Sequence, residues 1–182
     1  MSDRRRRFEA QALPHLDAAY NLARRLARPP LDADDIVQEA MLRAFRAFDT
    51  FRGDNMKPWL LSIVRNCHLT AFGRTRAKLE APLPADAELN LGDRGLIVDD
   101  PDPEASVIHT QQGRQLNAII DRLPAEFREV LVLREMEDMS YRDIAQVTGA
   151  PIGTVMSRLA RARALLRQGW IGAGQEAPHA VH

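Results

Sequence analysis

A single cysteine, Cys67, leaves no partner for an intramolecular disulfide and too few thiolates for a cysteine zinc cluster. The five histidines, His15, His68, His109, His179 and His182, show no ligand spacing, so neither a metal nor another cofactor is expected. No apolar run is long enough to span a bilayer. The basic opening MSDRRRRFEA lacks a following hydrophobic segment and does not read as a secretory signal. There is no internal repeat and no strand-like alternation. What these absences leave is a cytoplasmic, all-α chain without a small-molecule chemistry of its own. At 182 residues it has room for one or two small domains.

Net charge is also absent, since 25 Lys and Arg balance 25 Asp and Glu, but the balance is not local. Residues 1–79 carry 15 basic against 9 acidic groups, residues 80–108 carry 1 against 8, and residues 109–182 carry 9 against 8. An acidic connector therefore separates a basic part from a near-neutral one. Contact with nucleic acid, if made, must come from local basic faces.

The most informative stretch is LPAEFREVLVLREMEDMSYRDIAQVTGAPIGTVMSRLARARALLRQ, residues 123–168. Pro124 suits the first turn of a supporting helix, and Ser140 with Asp143 makes a capping-box-like start to the next. Gly149 supplies a left-handed C′ residue, and Pro151 opens the last helix. In that helix Ile152, Val155, Leu159, Ala162 and Leu166 form one buried stripe. Ser157 lies opposite it, Gly153, Ala160 and Arg161 lie nearby, and Thr154, Met156, Arg158 and Arg163 sit towards the flanks. Small residues and guanidinium groups on one face suit insertion into a major groove, so the unit reads as a helix-turn-helix. The plainer reading is a solvated arginine face on an ordinary helical hairpin.

Upstream, Phe8 to about Arg28 has a helical period (Leu13, Leu16, Tyr20, Ala23, Leu26) and stops at Pro29-Pro30. Arg4 to Arg7 read as a frayed, exposed terminus, with phosphate contact as the alternative. Asp32 caps a second helix running to about Asp49, with Ile36, Val37, Ala40, Met41, Ala44 and Phe48 as its apolar face. Asp35, Gln38, Glu39, Leu42 and Arg46 cluster opposite. Leu42 is either a scattered exposed leucine or an apolar anchor in a polar ring meant for a protein partner. After the loop 50–57, Pro58 starts a third helix with Leu60, Ile63, Val64, Cys67 and Ala71 as core. Trp59 on its flank either closes the core edge or offers a stacking surface for an unpaired base beside Arg65 and Asn66. Arg74, Arg76 and Lys78 continue a basic helix end. Residues 80–104 read as a flexible acidic linker in which Leu89, Leu91 and Leu96 to Val98 could dock on a partner. A helix from about Glu104 to Arg122 follows, and the tail after Gly169 reads as disordered.

DADDIVQEAMLRAFRAFDTFRGD with PWLLSIVRN resembles conserved region two of bacterial sigma factors of the sigma-70 family. Residues 123–166 resemble their region four, and two such regions with a short linker resemble the extracytoplasmic-function (ECF) group. The resemblance implies two small helical domains: region two over 1–79, a linker over 80–104, region four over 105–168, and a tail over 169–182. It implies that Asp35, Gln38, Glu39 and Leu42 meet the clamp coiled coil of the β′ subunit of core RNA polymerase. It implies that Phe51 to Lys57, with Trp59 and Asn66, capture an unstacked minus-ten base while Arg65, Arg74 and Arg76 hold phosphates. Thr154, Ser157, Arg158, Arg161 and Arg163 would then read or clamp minus-thirty-five duplex. An anti-sigma factor is the implied inhibitor. Two departures stand out: Met156 occupies a place where many relatives carry Lys or Arg, and the loop after Phe51 is about one residue shorter than in several relatives.

Three readings compete. The first is a sigma factor that brings core polymerase to promoter DNA and opens the strands without catalysis of its own. The second is a sigma-like decoy that sequesters an anti-sigma factor. The third, an enzyme with a DNA-binding tail, lacks any α/β half in residues 1–79.

Overall fold

The computed structural model describes residues 3–27, 31–80 and 111–172, without the side chains of 75–80 and 111–112. The described residues form helices and turns and no strand. The expected linker, and the part of the following helix before Gln111, lie outside them.

The first helical stretch is two helices, α1 (Asp3–Ala12) and α2 (Leu16–Leu26), because Pro14 breaks it in a short turn at Leu13–His15. That break corrects the expected stripe. Ala18, Ala19, Leu22, Ala23 and Leu26 are buried, whereas Leu13, Leu16 and Tyr20 are exposed. The Arg4 region is not frayed. Phe8 meets Phe45 and Phe48 edge to face at 5.2 and 5.4 Å, and Arg4 Nη2 donates to the carbonyls of Phe45 (2.8 Å) and Arg46 (3.2 Å). Arg4 thus satisfies acceptors at the end of helix α3 (Ala33–Ala47) rather than waiting for phosphate. Helix α3 begins where expected, with the Asp32 carboxylate accepting from Asp34 N–H at 2.9 Å.

Helix α4 (Met56–Glu80) starts two residues before Pro58, with Asn55 Oδ1 accepting from Lys57 N–H at 3.3 Å. Leu60, Val64 and Cys67 are buried as expected, and Ile63 is partly buried. Leu61, outside the expected stripe, is also fully buried. A helix covered by α2, by α3 and by the later helix Tyr141–Thr148 must bury more than one stripe.

The C-terminal part comprises α5 (Gln111–Arg122), α6 (Ala125–Leu131), α7 (Tyr141–Thr148) and α8 (Ile152–Gly172). Pro124 stands at the N-cap of α6, one place earlier than expected. The end of α6 widens into a π-turn over Val132–Met136, with Glu137 N–H donating to Val132 C=O at 3.2 Å. Ser140 Oγ accepts from Asp143 N–H at 3.1 Å and donates to the Asp143 carboxylate at 2.7 Å. Gly149 has φ +67°, which only glycine adopts without strain. Val155, Leu159 and Ala162 are buried and Leu166 partly so, but Ile152 is exposed at the helix mouth. Helix α8 continues to Gly172 and buries Trp170, so residues 169–172 are not tail; 173–182 lie outside the described residues.

The two parts are not beads on a string. Leu22, Leu60, Leu61 and Val64 belong to the same buried cluster as Val130, Leu133, Ile144, Val147, Val155 and Leu159.

Candidate protein and nucleic-acid interfaces

Three surfaces gather the residues singled out in the sequence. On α3, Asp35, Gln38 and Leu42 are exposed, Leu42 at 47%, and Glu39 is held half-buried by Arg43 at 2.6 Å. Leu42 is thus a large apolar side chain left half exposed among acids and an amide.

The second surface joins the loop 51–55 to the start of α4. The Phe51 and Trp59 rings stand 5.1 Å apart, and both are half-buried against the core. A Cβ on Gly53 would lie 3.2 Å from the Phe51 ring, which accounts for glycine beside it. Trp59 therefore both closes the core edge and shows part of its ring. Asn66 and Arg74 are exposed, while the Arg76 side chain lies outside the described residues. Arg65 is not free: its Nε donates to the buried carboxylate of Glu129 on α6 at 2.6 Å. Lys57 is likewise engaged, Nζ donating to Glu137 C=O at 2.7 Å and pairing with its carboxylate at 3.0 Å.

The third surface is α8. Gly153, Ser157 and Arg161 are exposed, and Thr154 is half-buried with its carbonyl accepting from Ser157 Oγ at 3.0 Å. Arg158 pairs with Glu126 at 3.2 Å. Arg163 Nη2 and Nε donate to Glu135 at 2.6 and 3.1 Å. That hydrogen-bonded carboxylate raises the Arg163 pKa above its ordinary value, with burial pulling the other way. Met156 is 53% exposed on this face, one helical turn from the exposed Ile152. Two guanidinium groups are thus pre-set by acids of the same unit, and Arg161 projects outward without one of the ion pairs that hold the other two.

Sequence reasoning missed Glu129, Glu137 and Lys57 as partners. A signal existed for Glu129, which lies one helical turn before Leu133 on the face that is otherwise apolar. Burial pushes its carboxyl pKa up, against the pull of Arg65 and then Arg158. Nearby His68 has its Nδ1 buried without a hydrogen-bond partner among the described residues. Its pKa is lowered, first by burial and then by Arg128 and Arg65. Among the described residues, no group of three or more His, Cys, Asp or Glu gathers to hold a metal. No described helix is long and apolar enough to cross a membrane.

Residues 13–78 match the family description "Sigma-70 region 2", and residues 113–166 match "Sigma-70, region 4". The chain is 38% identical over 154 residues to the ECF RNA polymerase sigma factor SigE of Mycolicibacterium smegmatis, covering 84% of this chain but only 57% of that relative. It is 36% identical over 163 residues to the RNA polymerase sigma-H factor of Pseudomonas aeruginosa, covering 87% of this chain and 83% of that protein. Among solved structures it resembles the sigma factor RpoE of Bartonella quintana, seen in complex with the anti-sigma factor NepR. The TM-score is 0.65 at 26% identity, covering 89% of this chain and 95% of that one. The chain belongs to the sigma-70 family of RNA polymerase sigma factors, in its ECF group.

Proposed function

We propose that this chain is the promoter-recognition subunit of a bacterial RNA polymerase, acting in the cytoplasm. The observation that carries the reading is the presence of both sigma regions in order, each with its expected surface turned outward: the acidic, leucine-centred face of α3 and the small-residue, arginine-bearing face of α8. Asp35, Gln38, Glu39 and Leu42 bind the basic clamp coiled coil of β′, the acids steering and Leu42 anchoring. Thr154, Ser157, Arg158, Arg161 and Arg163 contact the minus-thirty-five duplex, with α8 in the major groove. Phe51, Trp59 and Asn66 hold an unpaired minus-ten base, while Arg65, Arg74 and Arg76 bind phosphates of its strand.

Strand opening needs no catalytic group under this reading. A surface that binds the unpaired strand better than the duplex shifts the equilibrium towards the open form. An anti-sigma factor is the natural inhibitor, supported by the fold shared with RpoE in its complex with NepR. The intact outward face of α8 argues against a decoy that only sequesters such an inhibitor. Run-off transcription with purified core enzyme tests the reading. Promoter-dependent transcripts are expected, and their absence on all templates from the source genome overturns it.

A further inference from the structure

Helix α8 carries two large apolar side chains in the open. Ile152 and Met156 are 45% and 53% exposed, and both stand outside the two buried clusters of the described residues. Single exposed apolar residues are ordinary. Two of them one turn apart, at the start of the helix that bears the outward arginines, are not scatter.

Their place about the helix matters as much as their exposure. At about 100° per residue, Gly153, Ser157 and Ala164 point away from the buried Val155, Leu159 and Ala162. Ile152 and Met156 lie on one flank of that outward face, and Thr154, Arg158 and Arg161 lie on the other. Over residues 152–158, therefore, one flank is apolar and the other polar or cationic. Arg163, further along the apolar flank, is held by Glu135 at 2.6 and 3.1 Å.

The chemistry of a major groove matches that division. The C5-methyl of thymine is the apolar group among its base edges, while guanine offers O6 and N7 as acceptors. Guanidinium groups suit the guanine edge and the phosphates. A thioether chain suits the methyl, because against an amino or carbonyl edge it leaves a polar group without a hydrogen-bond partner. Methionine is also unbranched and adaptable, so it can follow a groove wall where the stiffer, β-branched Ile152 cannot.

We propose that Met156 is a specificity-determining residue for the upstream duplex. Its side chain packs on the C5-methyl of a thymine, with Ile152 shielding the contact at the helix mouth, while Arg161 on the opposite flank takes a guanine edge or a phosphate. The inference rests on the proposed function for placing α8 in the major groove, and on the exposed apolar flank for what is read there. A cation at position 156 would add a phosphate contact indifferent to sequence, and methionine exchanges that for a base preference.

The test uses the full chain assembled with core polymerase. Fragments of the source genome retained by this holoenzyme supply the upstream element. Each thymine in it is then replaced singly by deoxyuridine, which removes the methyl and keeps the base pair. Anisotropy of the labelled duplex at fixed salt reads affinity. At one thymine, or two adjacent ones, wild-type binding should weaken about fourfold, the worth of one buried methyl. Met156→Leu should keep that sensitivity, and Met156→Gln should bind the thymine and deoxyuridine duplexes equally. Met156→Arg should also lose the sensitivity and steepen the log–log salt dependence by about 0.9, one phosphate contact. Melting temperatures check the fold, and should one variant melt early, the wild-type deoxyuridine series and the other variants carry the test. An upstream element without thymine, deoxyuridine that is neutral throughout, a Met156→Gln variant with the wild-type pattern, or an unchanged salt slope for Met156→Arg would each overturn the proposal. Retention of no duplex at all sinks the proposed function with it, whereas retention without methyl dependence sinks this inference alone.

Discussion

A Cβ on Gly169 of α8 would lie 2.6 Å from Ile119 Cγ2 of α5, inside any tolerable contact. The helices approach that closely because residue 169 has no side chain, and Ile119 is buried at the crossing. Gly169→Val should destabilise the C-terminal part by about 1–3 kcal/mol through overpacking. Thermal unfolding of the full chain reads it, and an unchanged midpoint would show that α5 shifts freely.

Leu42→Asp should leave stability within about 0.5 kcal/mol, because the side chain is half exposed on the outer face of α3. Affinity for core polymerase should fall by about 2 kcal/mol or more, as for a central interface anchor. Equal core affinity for wild type and variant would remove α3 from the interface.

Ser140→Ala removes a cap whose hydroxyl serves both Asp143 N–H and its carboxylate. A loss of about 1 kcal/mol is expected. Binding of minus-thirty-five duplex should weaken only as far as folding does, and a larger binding defect would place Ser140 on the DNA.

Trp59→Phe keeps an aromatic ring against Phe51 but shrinks the stacking surface. Stability should drop by roughly 1 kcal/mol, and strand opening, read by permanganate footprinting, should drop much more than duplex binding. Parallel losses in both assays would reduce Trp59 to a core residue.

The acid limb of the stability profile should carry two opposing contributions. His68 has a depressed pKa when folded, so its neutral form is favoured there. It contributes no penalty well above its ordinary value of 6.5 and increasingly destabilises the fold as pH falls through that region. Glu129 has a raised pKa, so its contribution is full below 4.5 and is lost as pH rises through the folded value. The charged neighbours of His68, Arg65 and Arg128, both oppose its protonation. His68→Gln should therefore flatten the fall in melting temperature between about pH 7 and pH 5.5 relative to wild type. A wild-type and variant pair with parallel slopes would discount His68.

What could be read in the sequence was what is decided locally. The α7–α8 turn follows from Ser140, Gly149 and Pro151, whose backbone demands do not depend on distant residues. The start of α3 at Asp32 is legible for the same reason. Leu13, Leu16 and Tyr20 were misread because one proline residue, Pro14, resets the helix phase. The pairing of the two parts left little trace. Only Leu61 on a polar flank and Glu129 on an apolar face hint at it, and each is explained by the other part of the chain. Arg65 looked like an open phosphate ligand because nothing nearby in sequence neutralises it, and its partner lies 64 positions away.

The widened turn at Val132–Met136 has a further consequence for Glu137. Glu129 precedes it and Glu137 follows it, and a π-turn takes one residue more than an α-turn over nearly the same rotation. In an unbroken α-helix eight steps of about 100° would turn Glu137 roughly 80° from Glu129, so the extra residue brings the two carboxylates back towards one face. Excising Met136 would let the segment relax to an ordinary α-helix with Glu137 still facing Lys57, so this stretch tolerates the loss of one residue better than an unbroken helix does.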